Sequence, residues 1–171
     1  MYLNSLTKSV IKHDFFYRYT YTKVKNFPKM LSITLKLNIK NVSYKDLTAI
    51  LLALEIISVK KGVVVKKKNL KTFLRLKKGY TTYFIVTIKK DSLNNFLKKL
   101  VNKELILSQT DFSASKSGQS FTLTSIFNNK DLKSNYNYFK HIPQVYLTVK
   151  ANTKTSSEFL FLLKSYKIKQ L

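Results

Sequence analysis

Between Met30 and Ile39 the chain alternates without a break. Leu31, Ile33, Leu35, Leu37 and Ile39 fall on one side of an extended backbone, and Ser32, Thr34, Lys36 and Asn38 on the other. Side chains of a strand point to opposite faces in turn, so this is a sheet strand with one apolar and one polar face. Ser43, followed three residues later by Asp46, reads as a capping box. Leu47, Ile50, Leu51, Leu54 and Ile57 then recur at helical spacing, predicting an amphipathic helix over 44–58. Segments 63–67 and 80–90, β-branched and aromatic, predict two strands, with Gly79 turning the chain into the second. Asp91 is placed as the cap of a further helix whose apolar stripe is Leu93, Phe96, Leu97, Leu100 and Val101. The small polar run 113–120 is loop chemistry, with Gly118 free to take a positive φ. "FTLTSIF" and "QVYLTVK" predict two more strands. Thr155 with Glu158 opens a last helix lined by Phe159, Leu162, Leu163 and Tyr166.

The order is an unassigned N-terminal segment and then β-α-β-β-α-β-β-α. No repeat or linker-like composition break divides it, so one domain over 1–171 is expected, with residues 1–25 as an N-terminal segment. The fold class that follows is α+β: an open, mainly antiparallel sheet with helices packed on one face. Its other face is expected to be polar and cationic.

Charge changes the picture most. The 171 residues carry 32 Lys and Arg against 8 Asp and Glu, a formal net charge of +24. Self-repulsion on that scale opposes compaction, so a polyanion is the natural partner. Nucleic acid comes first and an anionic membrane surface second. Arg18 and Arg75 are the only arginines; lysine supplies the rest. With abundant Asn, Ile, Tyr and Phe, this is the vocabulary of A+T-rich codons, pointing to an organelle or an A+T-rich genome. The N-terminus has neither a signal-peptide core nor the Arg-rich character of a transit peptide, so synthesis inside the organelle is expected.

Little here could perform catalysis. There is no cysteine, which excludes disulfides, thiolate metal sites and Cys nucleophiles. His13 and His141 are isolated, and the eight carboxylates are scattered, with Asp46, Asp91 and Glu158 at helix starts. The three glycines form no phosphate-cradling loop. No enzyme, metal or cofactor is expected. What stands out is "KKKNLKTFLRLKKG", Lys66 to Gly79, with seven cations between two strand-like runs. Lysines bind phosphate without reading bases. The neighbouring Phe73, Tyr80, Tyr83 and Phe84 could stack unpaired bases, or could be ordinary sheet packing.

Several strings, taken in order, resemble the large-subunit ribosomal protein L-five family, which binds 5S ribosomal RNA. "NFPKMLSITLKLNI" resembles its Val-Pro-basic strand. "LALEIISVKKGVVVKKKNLKTFLRLKKGY" falls without a gap on its helix end, turn and lysine-rich hairpin. "VTIKKDSLNNFLKKLV" resembles the following strand and helix, and "VYLTVKANTKTSSEFLFLLKSY" the closing strand and last helix. The likeness covers about residues 26–168. Departures are also plain: Lys36 replaces the Asn of the family's first strand, and Ser58-Val59-Lys60-Lys61-Gly62 keeps only the Lys of its Gly-Gln-Lys-Pro turn.

The resemblance implies a structural role in the central protuberance of an organellar, mitochondrial large ribosomal subunit. The implied partners are large-subunit rRNA, 5S rRNA, P-site tRNA and neighbouring ribosomal proteins, with no membrane. Candidate rRNA contacts are Lys36, Asn38, Lys60, Lys61, Lys66, Lys67, Lys116, Gln119, Ser120 and Thr122. By the same resemblance Lys68, Asn69, Lys71, Arg75, Lys77 and Lys78 form a tRNA-facing tip of a long basic β-hairpin. A free-standing RNA-binding or chaperone protein is the alternative, and a peripheral protein on anionic lipid a third.

Overall fold

The structure is a computed structural model that describes residues 2–19, 21, 27–38, 44–66, 81–102, 105–109 and 118–166. Its described strands form a six-stranded sheet of order β2-β3-β1-β6-β5-β4, with every neighbouring pair antiparallel. The strands are β1 (Met30–Asn38), β2 (Val63–Lys66), β3 (Thr81–Ile88), β4 (Ile106–Gln109), β5 (Gly118–Ser125) and β6 (Val145–Ala151). The helices are α1 (Tyr2–Arg18), α2 (Tyr44–Ser58), α3 (Asp91–Val101), the short α4 (Lys130–Ser134) and α5 (Tyr136–Phe139), and α6 (Ser156–Ser165).

The alternation read in β1 sets the layers. Ile33, Leu35 and Leu37 are fully buried, while Lys36 and Asn38 are exposed. Opposite them, Val86 and Phe84 of β3 and Leu147 and Val145 of β6 continue the same apolar face. Helices α2, α3 and α6 press Leu54, Phe96 and Phe159 into that layer, and Phe15 of α1 joins the same buried cluster. All the long described helices thus share one side of the sheet, and no described helix covers the other side.

The strand start departs from the simple alternation. Leu31 is 55% exposed, while Met30 and Ser32 are buried. The β1–β6 register slips between Met30 and Ser32, and such an irregularity turns the flanking side chains over. Ile39 and the Ser43 cap lie outside the described residues.

Two helix starts tell opposite stories. At α6 the Thr155 hydroxyl accepts from Glu158 N at 3.2 Å, and the Glu158 carboxylate accepts from Lys154 N at 2.8 Å. This is a capping box whose return bond lands one residue early. At α3 the cap position is Lys90, in the left-handed region at φ 53°, with no side-chain bond. Asp91 is therefore the first helical residue and not the cap. Its charge still faces the positive end of the helix. Lys99 of α3 ties its helix to α2, donating to the carbonyls of Ile56 at 2.9 Å and Ile57 at 3.4 Å.

The N-terminal segment, unassigned in sequence, is the helix α1. Phe15 meets Phe161 of α6 edge-on at 4.8 Å, and Arg18 stacks over the same ring at 4.9 Å. Phe16 and Tyr21 both contact Phe27, at 4.6 and 4.9 Å. Burial, and after it the Glu158 carboxylate, raises the Tyr21 phenol above its usual range. Strand β4, one sheet edge, also went unread. It has four residues, too few for alternation to register.

Candidate nucleic-acid interface

The open face can be read row by row from the strand registers. One row crosses the whole sheet: Val63, Ile85, Lys36, Tyr146, Thr122 and Ser108. The next carries Thr87, Thr34, Thr148 and Ser120. A third begins Val65, Tyr83, Asn38. Residues opposite one another across a strand pair sit roughly 5 Å apart at Cβ. The face is thus a dense sheet of hydroxyls with two tyrosines and one central cation.

Much of that hydroxyl layer is knitted to itself. Ser120 Oγ lies 3.1 Å from Thr148 Oγ1, and Ser108 Oγ bonds to Thr122 Oγ1. These bonds hold the side chains in place. Lys36 is likewise held, with its ammonium over the Tyr83 ring. A fixed cation beside Tyr83 and Tyr146 suits a phosphate with stacked bases, and hydroxyls suit phosphate and ribose oxygens.

The expectation of a cationic open face needs correcting. Among the described residues the rows hold Lys36, with Lys150 beyond them opposite Ser32 and Gly118. Like charges set opposite one another destabilise a sheet, so threonine and serine fill positions that lysine could not share.

The sequence-predicted residues divide into four groups. Lys36, Asn38, Ser120 and Thr122 come together on the open face, with Thr122 almost covered. Lys60 and Lys61 are exposed on the turn between α2 and β2, at the sheet's edge. Gln119 points the other way. It alternates with Ser120, is 2% exposed, and neither end of its amide has a hydrogen-bond partner among the described residues. Lys66 ends β2, while Lys67, Lys116, Lys68, Asn69, Lys71, Arg75, Lys77 and Lys78 lie outside the described residues.

Gly118 belongs to β5 and not to a loop, as do Gln119 and Ser120. A Cβ there would stand 2.8 Å from the Val149 carbonyl oxygen, so glycine is required for strand approach and not for a positive φ. Tyr146, Thr148, Thr34 and Thr87 were missed as site residues. Alternation within "QVYLTVK" does carry the signal for Tyr146 and Thr148, once Val145 and Leu147 are known to be core.

No protein-family model matches the chain. Two curated proteins are similar to it. The large ribosomal subunit protein uL5m of Reclinomonas americana is 25% identical over 179 residues, covering 97% of each chain. The large ribosomal subunit protein uL5 of Pediococcus pentosaceus is 30% identical over 106 residues, 61% of this chain and 56% of the relative. Along nearly its whole length, and in an α+β fold built on an open antiparallel sheet, the chain is similar to the large ribosomal subunit proteins uL5m and uL5.

Proposed function

We propose that the protein grips rRNA with its open sheet face as a structural constituent of the mitochondrial large ribosomal subunit. The observation that carries this reading is the patch around Lys36, where a held cation, the Tyr83 and Tyr146 rings of adjacent rows and bonded hydroxyls share a face that no described helix covers. Mitochondrial location follows from the likeness to uL5m. Large-subunit rRNA is the principal ligand, joined by 5S rRNA in a ribosome that contains it, and the site is the central protuberance. Lys36, Asn38, Ser120 and Thr122 form the contact, and Lys60 and Lys61 extend it at the sheet's edge. Gln119, facing the core, has no part in it. The cationic segment with Lys68, Asn69, Lys71, Arg75, Lys77 and Lys78, which lies outside the described residues, is assigned to P-site tRNA.

The chain has no cysteine, so Lys36→Cys carries a single thiol for a short cross-linker. In large subunits washed at high salt, that thiol is expected to capture rRNA. Loss of the protein from washed subunits would favour a free-standing RNA-binding protein. Retention with cross-links only to protein would overturn the face assignment. The hairpin is tested separately by replacing Asn69–Arg75 with a Gly-Ser link. Subunit occupancy should persist while tRNA leaves the P site faster.

A further inference from the structure

We propose that the α4–α5 segment is a second RNA site, on the helix side of the molecule. Unpaired bases stack there on Tyr136 and Tyr138, while Lys130, Lys133 and Lys140 hold the phosphates. The site takes its setting from the ribosomal reading but its chemistry from different residues. Between residues 130 and 141, Leu132 and Phe139 are buried and every other residue is exposed. Two apolar anchors thus pin a segment whose remaining side chains all face water.

The anchors fix its position. Leu132 and Phe139 enter the buried cluster that holds Ile50 and Leu54 of α2. The Tyr138 hydroxyl lies 3.4 Å from Thr48 Oγ1 on the same helix. Helix α2 packs on the apolar side of the sheet, so α4 and α5 belong to the helix layer and not to the face carrying Lys36.

The rings are presented to water and also held. Tyr136 is 53% exposed and Tyr138 54%. Tyr136 meets Phe127 edge-on at 5.0 Å, and Tyr138 meets Phe139 edge-on at 5.2 Å. Residues two apart on a helix point about 200° away from each other, so the two rings flank α5 with Asn137 between them. Lys140 keeps helical backbone angles and stands four residues after Tyr136, the spacing of neighbours on one helix face.

Composition selects the occupant. The exposed residues of 130–141 are lysine, tyrosine, asparagine, serine and His141, with Asp131 the single carboxylate and no aliphatic side chain. Cores of protein–protein interfaces are depleted in lysine and serine. RNA uses these groups directly, ring faces for bases and ammonium groups for phosphates. Bases inside a duplex are already stacked on one another, so exposed rings select unpaired nucleotides.

Two cross-linking experiments test this. Asn137→Cys sets a single thiol between the rings of a chain that has no cysteine of its own. Assembled into large subunits and given a short thiol-to-RNA cross-linker, it should capture unpaired rRNA nucleotides distinct from those captured by Lys36→Cys. Capture of polypeptide, of paired rRNA, of the same nucleotides as Lys36→Cys, or of nothing overturns the proposal. A protein that washes off the subunits strikes the ribosomal reading, and the second experiment then decides. The free protein is irradiated with a short unstructured RNA containing 4-thiouridine, and the adducts are mapped. Adducts should form on Tyr136 and Tyr138 and persist there in Lys36→Ala. Their yield should fall about tenfold or more when the same nucleoside is paired in a duplex. Adducts confined to the open face, or equal from single strand and duplex, overturn the proposal.

Discussion

The Lys36 ammonium lies 4.4 Å from the centroid of the Tyr83 ring, on a strand where Lys36 is paired with Ile85. The contact is therefore diagonal across the pair, and it stops the long lysine side chain from sweeping the face. Such a contact is worth about 0.5–1 kcal/mol at an exposed site, enough to bias a rotamer without consuming the charge.

Lys36→Ala should accordingly leave the fold unchanged by circular dichroism and weaken RNA binding. Losing one phosphate contact should flatten the slope of log affinity against log salt by roughly 0.7–0.9. Lys36→Arg should restore the slope. Titrations at several salt concentrations decide it, and an unchanged slope would place Lys36 off the RNA.

The neighbouring position behaves oppositely. Leu35 is fully buried between Val86 and Leu147. Leu35→Ala should cost about 2–5 kcal/mol in urea unfolding, the range for buried Leu truncations. A cost near zero would mean that the two faces have been exchanged.

These adjacent residues also show how far the sequence could be read. A strict two-residue period over 33–38 names core and surface directly, and helical spacing did the same for α2 and α3. The period fails where backbone geometry changes. The slip at Met30–Ser32 exposes Leu31, and the left-handed Lys90 takes the cap position expected of Asp91. The site was half legible for a related reason. Composition advertises charge, whereas the open face is mostly hydroxyls, which only the cross-strand registers gather into rows. Gln119 was misplaced because its neighbours looked like a loop until Gly118 was seen inside a strand.

Alkaline pH should test the joint between α1 and α6. Burial raises the Tyr21 phenol above its ordinary value of 10.0, so it stays protonated there. The folded state therefore keeps a proton that the unfolded chain releases, so this stabilisation is complete below about pH 10 and is lost as pH rises further. Stability of the parent protein should fall more steeply than that of Tyr21→Phe between about pH 9 and pH 11. Parallel urea curves at the two pH values measure this. Identical pH dependence would mean that Tyr21 is not shielded.

The start of α6 gives a smaller, local effect. Thr155→Ala removes the acceptor for Glu158 N, and loss of a threonine cap costs about 1 kcal/mol. Hydrogen exchange should accelerate in the first turn of α6 and leave β1 alone. Protection that falls equally everywhere would mean that the cap is part of the global unfolding unit.

Strand β1 sits between β3 and β6, and this position opposes the order of synthesis to the order of assembly. Residues 30–38 leave the ribosome early and can pair on one side once 81–88 follow. Their other side waits for 145–151, close to the end of the chain. Pairings so distant in sequence are slow to form. Until they do, the nascent protein exposes a half-built sheet whose apolar face has yet to receive α6. A chain stalled before residue 145 should therefore remain open to proteases and chaperones, however much of its sequence has been made.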